Sequence, residues 1–294
     1  MRQHVTAIET ACAIGGAQCE GLTVGASEIA FTPGSVRSGE YRFAVGTAGS
    51  TGLVLQTVLM PLLLADGPSR LVLEGGTHNM LAPPFEFIAR SFLPIVNRMG
   101  PQVEARLVRH GFFPRGGGRI EVDIIPAPLR AIECLERGAP TEETATVLFS
   151  GLPFEIAERM LNRARKALPD WLDRSFAVRE LPADQGPGIV LLLEAGFEHV
   201  AEVVSGFGRL GVTAERIAAT AAGRTTGYID SGAFAGPYLA DQLLLPFALA
   251  GGGSFTTVKL SEHSLTAAAI IERFTGRRCR FDVRKGASNL VTIG

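Results

Sequence analysis

Cysteine is scarce in this sequence. Cys12, Cys19, Cys134 and Cys279 lie far apart, with no CxxC or CxxH spacing. Such scatter supports neither a disulfide framework nor a cysteine-built zinc site and points to a reducing compartment. Long apolar runs are missing too. The richest stretch, "LVLQTVLMPLLLA", is short and interrupted by Gln56 and Pro61, so no membrane span is expected. The opening "MRQHVTAIET" has no apolar signal region, and a cytoplasmic protein is expected. No charge of one sign dominates, with a formal net charge of -1, which argues against a nonspecific grip on long nucleic acid.

What is present suits a globular protein. The chain has 294 residues, of which 46% are hydrophobic and 19% charged, enough for a sizeable core in one or two domains. Its glycines cluster at the ends of apolar segments, where turns require them. Basic residues gather locally in "RLVRHGFFPRGGGR" and "RFTGRRCRFDVRK", each a solvated face or a phosphate site.

Three segments share one plan: an amphipathic helix, a Gly-containing turn and two strands. They are "VTAIETACAIGGAQCEGLTVGASEIAFTPG", with Val5, Ile8 and Cys12 on one stripe, "FEFIARSFLPIVNRMGPQVEARLVRHGFFPRGGGRIEVDIIP" and "AAAIIERFTGRRCRFDVRKGASNLVTIG". The second and third are each preceded by a Gly-started helix holding a Gln and a Pro, then a strand: "GSTGLVLQTVLMPLLLADGPSRLVLEGG" and "GPYLADQLLLPFALAGGGSFTTVKLSE". With an opening strand such as "YRFAVG", the full unit reads βαβαββ. The fold expected is therefore α+β, built of tandem βαβαββ repeats of which the first is incomplete. An upstream half-repeat is expected to complete it, since a lone helix and hairpin leave a sheet edge uncovered. Residues 146–229 break the pattern and predict a small inserted α/β domain, with residues 1–145 and 230–294 forming the repeat-built body. Within the insert, "GIVLLLEAGF" reads as an apolar strand and "EHVAEVVSGFG" as turn-rich.

The stretch "SFTTVKLSEHSLT", residues 254–266, reads as a strand ending at His263, with Ser264 or Thr266 capping the next helix. An imidazole attacks phosphorus only when neutral, and a helix N-terminus beside it disfavours the imidazolium while favouring a phosphate. Lys259, on the same strand face, would meet phosphate charge. The bland alternative is a capping or core histidine. In "YLADQ", Tyr238 and Gln242 share a helical face with Asp241 beside them, a set suited to a purine, a ribose or an imidazole, or simply a helix start. His78 in "EGGTHN" occupies the strand end of copy two and reads as an echo of His263, structural or substrate-lining. His110 precedes the "GFFPRGGG" turn, where Arg115 and Arg119 flank a hairpin or a phosphate. His4 reads as lying near a possible ligand end, and His199 in the insert reads as a surface residue. No HxH, HxxxH or carboxylate cluster marks a metal site, so none is assigned.

Several ordered segments resemble RNA 3′-terminal phosphate cyclases: "RQHVTA", "YRFAVGTAGSTGLVLQTVLMPLLLADGPS", "EGGTHN", "RHGFFPRGGG", "DQGPG", "YLADQLLLPFALAGGGSFT" and "SEHSLT". They cover nearly the whole chain. The resemblance implies three βαβαββ repeats with an inserted α/β domain. It also implies ATP as cofactor, accompanied by Mg2+ or another divalent cation, and an RNA 3′-phosphate end as substrate. His263 matches the histidine that carries AMP. Gln56 and the run Tyr238, Leu239, Ala240, Asp241 and Gln242 match ATP-contacting positions. Pro114 in "HGFFP" matches a further pocket position, and Arg2 and Gln3 in "RQH" match the substrate end. The sequence departs at Ala267, often Asn in the family, and lacks a match to the N-terminal half-repeat that helps hold metal and phosphates. The alternatives kept beside this are a non-catalytic rRNA-processing or ribosome-assembly relative and an inactive short member.

Overall fold

A computed structural model of the protein describes residues 2–283 and 288–294. The basic stretch expected near the C-terminus runs into Arg284 and Lys285, which lie outside the described residues. The first unit comprises helix α1 (Arg2–Gly15) and the antiparallel strands β1 (Gln18–Glu20) and β2 (Ala30–Thr32). Its buried helical face carries Thr6, Thr10 and Ile14. The apolar stripe of Val5, Ile8 and Cys12 is only half-buried, so hydrophobic periodicity picked a neighbouring face.

The second unit is a full βαβαββ repeat. Strands β3 (Glu40–Ala44) and β4 (Ser69–Gly75) are parallel and joined by helix α2 (Thr51–Leu63). A π turn over Phe87–Phe92 runs into helix α3 (Leu93–Arg98), followed by β5 (Gln102–Arg109) and β6 (Gly118–Ile125). The sheet order is β3-β4-β6-β5. Strand β6 alternates cleanly, with Ile120, Val122 and Ile124 facing the core beneath Val54, Leu55, Val58 and Leu62 of α2. The π turn has a local cause. A proline ring at Pro94 would strike the Arg90 carbonyl in an α-helix; the widened turn, in which the Leu93 N–H reaches the Ile88 carbonyl, relieves that contact.

The third repeat follows the same strand pattern but is interrupted. Its opening strand is the two-residue β7 (Glu133–Cys134), parallel to β12 (Gly253–Thr257). Helices α6 (Pro237–Leu249) and α7 (Glu262–Thr275) and strands β13 (Cys279–Asp282) and β14 (Asn289–Ile293) complete it, in sheet order β13-β14-β12-β7. The insertion therefore enters inside the third repeat, after its first strand, and not between copies two and three as the sequence pattern implies.

The inserted layer is a four-stranded sheet of order β11-β10-β8-β9. It comprises β8 (Pro140–Ser150), β9 (Phe176–Glu180), β10 (Gly188–Phe197) and β11 (Ala201–Phe207), with helices α4 (Phe154–Ala167) and α5 (Ala214–Ser231). Strand β8 begins at Pro140, ahead of the boundary expected at Thr146. The stretch read as turn-rich contains β11, whose Val203 and Val204 are buried on opposite faces. The continuous apolar run of β10 has a matching cause: Ile189, Leu191 and Leu193 pack under α4 and α5, while Val190 and Leu192 join the main core. The insert and the repeats thus share one apolar interior along β10.

Candidate functional site

The matched residues gather around four helices. Gln56 on α2 donates its side-chain N–H to the Gln242 side-chain carbonyl on α6; each is the sixth residue of a thirteen-residue helix. At the N-terminus of α2, Ser50 caps the helix by accepting from the Leu53 N–H at 3.3 Å. The Ser50 N–H in turn donates to Gln3 Oε1 at 3.2 Å. Arg2 lies beside Gly46 in the same loop, where an added Cβ would come within 3.6 Å of its guanidinium. Residues 2–3, the loop 46–50 and the α2–α6 seam are therefore one contiguous surface.

Helix α6 starts at Pro237 in its first turn, with Gly236 as N-cap. Tyr238 is exposed at 57%, which leaves its ring free for a flat ligand. Leu239 and Ala240 are core residues, exposed by 0% and 1%, so only their backbone can meet a nucleotide. Asp241 and Gln242 are half-buried. Burial holds the Asp241 carboxyl above the usual aspartate range, and the charge of His263 with a hydrogen bond from Gln242 draws it partly back. That interaction joins α6 to α7.

His263 sits differently from the sequence-based expectation. Strand β12 stops at Thr257, and residues 258–261 form a loop that leaves Lys259 exposed outside any strand. Helix α7 then begins at Glu262, so His263 is its second residue and is exposed. The cap is Ser261, whose Oγ accepts from the Ser264 N–H at 3.0 Å, not Ser264 or Thr266. Alternation through "VKL" hid the strand end, and two serines three apart offered two caps. Replacing Ser261 with Ala is expected to cost about 1 kcal/mol in urea unfolding.

His78 does not share the setting of His263. The second helix of repeat two starts at Phe85, so Glu86, its second residue, holds the position that His263 holds in α7. His78 is instead buried at 1% exposure. Its Nε2 lies 2.8 Å from Glu86 Oε2 and its Nδ1 2.8 Å from Thr77 Oγ1. His110 stacks on it with ring centroids 5.2 Å apart. Sequence spacing gave no sign of this grouping, because His110 reaches it only through the β5–β6 hairpin.

Pro114 follows a cis peptide in the β5–β6 turn, and Gly116 of that turn packs on Ala48 of the loop before α2. The structure records no contact between Pro114 and the α6–α7 residues. The turn docks instead on "DQGPG" of the insert: the Phe112 N–H donates to the Gln185 carbonyl at 3.2 Å, and Arg109 pairs with Asp184 at 2.7 Å. An added Cβ on Gly188 would fall 2.2 Å from the Phe112 ring, so glycine is required for this approach. The basic residues nearby are engaged: Arg106 pairs with Asp123, Arg119 with Glu121, and Arg115 reaches the Ala183 carbonyl at 3.4 Å. In the C-terminal basic stretch, Arg278 pairs with Glu272.

Comparison with known proteins agrees with the motif pattern. A family model described as RNA 3′-terminal phosphate cyclase matches residues 1–281. A protein of that name from Ectopseudomonas mendocina is 46% identical over 274 residues, covering 93% of this chain and 80% of the relative. One from Pseudomonas aeruginosa (strain UCBPP-PA14) is 45% identical over 293 residues, covering 100% and 86%. One from Salmonella enteritidis is 43% identical over 275 residues, covering 93% and 80%.

Proposed function

The chain belongs to the RNA 3′-terminal phosphate cyclase family, and from that premise we propose that it converts an RNA 3′-terminal phosphate into a 2′,3′-cyclic phosphodiester with ATP as the activating substrate. The observation that carries this reading is His263, exposed in the first turn of α7 and electrostatically coupled to Asp241 of α6. The imidazole attacks the α-phosphorus of ATP, forming an N–P bond as the bond to pyrophosphate breaks. AMP then moves from the ring to an oxygen of the RNA 3′-phosphate. The adjacent 2′-hydroxyl attacks that phosphorus, loses its proton and expels AMP, which closes the ring.

The donor set suits ATP. Tyr238 offers an exposed ring for the base or ribose, and Gln242 and Gln56 offer amides. Free N–H groups at the start of α7 favour a phosphate beside His263. Asp241 orients the imidazole, and Arg2 and Gln3 border the same seam as the RNA-end contacts. A divalent cation accompanying ATP would neutralise phosphate charge.

The test is incubation with α-labelled ATP, Mg2+ and an oligonucleotide ending in a 3′-phosphate. Acid-labile label on the protein and a phosphatase-resistant RNA end are expected. An unlabelled protein with an unchanged RNA end would favour the rRNA-processing scaffold or an inactive member.

A further inference from the structure

We propose that His78, Glu86 and His110 form a site for one divalent transition metal of the Zn2+ class, pinning the β5–β6 turn to the start of the second helix of repeat two. The ligand atoms of the three side chains lie within 4.8 Å of one another. Donors held 2.0–2.2 Å from one ion stand about 3.3 Å apart in a tetrahedron. Binding therefore requires the 2.8 Å His78–Glu86 contact to open slightly and the widest pair to close, both small motions. Two imidazoles and one carboxylate are the donors of Zn2+ and its neighbours, whereas Mg2+ prefers oxygen and retains its water.

The supporting contacts are those a metal-bound histidine uses. Thr77 Oγ1 faces His78 Nδ1 at 2.8 Å and accepts the Gly111 N–H at 3.0 Å. Without metal, the Thr77 hydroxyl donates to Nδ1, and the Nε2 N–H donates to Glu86. With metal on Nε2, the ring keeps one proton, moved to Nδ1, and Thr77 becomes its acceptor. On His110, burial is the main cause holding the ring at a low pKa of about 4, aided by His78, so it is neutral and ready to ligate. Gln185 lies beside His110 as a side-chain hydrogen-bond partner, an acceptor suited to the second ring N–H. Burial raises the Glu86 carboxyl, but the close contact with His78 outweighs it and holds the group below the usual range. Glu86 is also the partly exposed member, its side chain 24% accessible, and marks the way in.

The experiment uses tag-free full-length protein, stripped with chelator and titrated with Zn2+, Co2+ or Mg2+. Uptake of about one Zn2+ per chain is expected, with a visible low-symmetry Co2+ spectrum, a raised Tm and no response to Mg2+. Glu86→Gln and His110→Gln should each weaken Zn2+ binding by at least about 100-fold, and Thr77→Val by about tenfold. Thr77→Val keeps all three ligands and tests the site even where a ligand variant fails to fold. Absence of stoichiometric Zn2+ uptake by the wild type, or uptake unchanged in folded variants, overturns the proposal whether or not the protein cyclises RNA.

Discussion

The His263→Asn variant should lose at least about 10⁴-fold in kcat/KM for RNA 3′-phosphate cyclisation, as expected when the nucleophile of a covalent pathway is removed. Its fold should be untouched. His263 is exposed in the first turn of α7, and surface substitutions of that kind change stability by less than about 0.5 kcal/mol. The pairing of these two results is what discriminates. A structural histidine would show the opposite signature, with lower stability and partial activity. Single-turnover assays with label from α-labelled ATP, alongside urea unfolding, read both quantities. Activity within tenfold of wild type would remove His263 from the chemistry.

The second large effect concerns a residue that belongs to no motif. Glu202 on β11 is buried at 2% exposure, and its carboxyl accepts the Gly236 N–H at 3.1 Å, immediately before α6. Burial pushes its pKa up to about 8, and the Gly236 hydrogen bond offsets only part of that. Tyr228 lies close enough for the Glu202 charge to raise its own pKa, on top of its burial, while Arg137 bonds the Tyr228 carbonyl. The folded protein therefore holds a proton on Glu202 that the unfolded chain releases near pH 4.5. Stability contributed by this group is full below that value and falls as pH rises to about 8, because the unfolded state binds fewer protons throughout the window. Glu202→Gln keeps an acceptor for Gly236 and cannot ionise. It should flatten the pH dependence and gain on the order of 3 kcal/mol over wild type above the window. Urea midpoints measured below and above the window check this; parallel pH curves for the two proteins would contradict it.

The repeats were legible because their signals are local. Glycine turns, the twin Gln- and Pro-bearing helices and period-two strands each announce themselves within a dozen residues. The same locality explains the failures. Equating the settings of His78 and His263 followed the likeness of "EGGTHN" to "LSEHS", whereas the connection from strand to helix is longer in repeat two. Glu202 follows Ala201 in a stretch that reads as turn-rich, yet it is buried in β11 because the insert sheet is covered on both faces. Of the matched site residues, Gln3, Gln56, Asp241 and Gln242 lie on helices that meet at the α2 loop and the α2–α6 seam, whereas His263 lies in the first turn of α7 and not at a strand end. Leu239 and Ala240 are core positions, which a run of consecutive motif letters cannot separate from ligand-facing ones.

The place where the insertion enters has a consequence for how the chain folds. Strand β7 and helix α6 belong to one repeat, but the chain runs through β8–α5 between them. Were that stretch a floppy tether of about 100 residues, bringing its ends together would cost about 4 kcal/mol of closure entropy. A folded insert holds its two ends near each other, with Arg137 bonded to the Tyr228 and Ile229 carbonyls, and so lowers that cost. Formation of the insert is therefore expected to favour assembly of the third repeat. Loosening the insert core, for example at Met160 or Leu191, should slow the last folding step and delay the arrival of Tyr238 and Asp241 at His263.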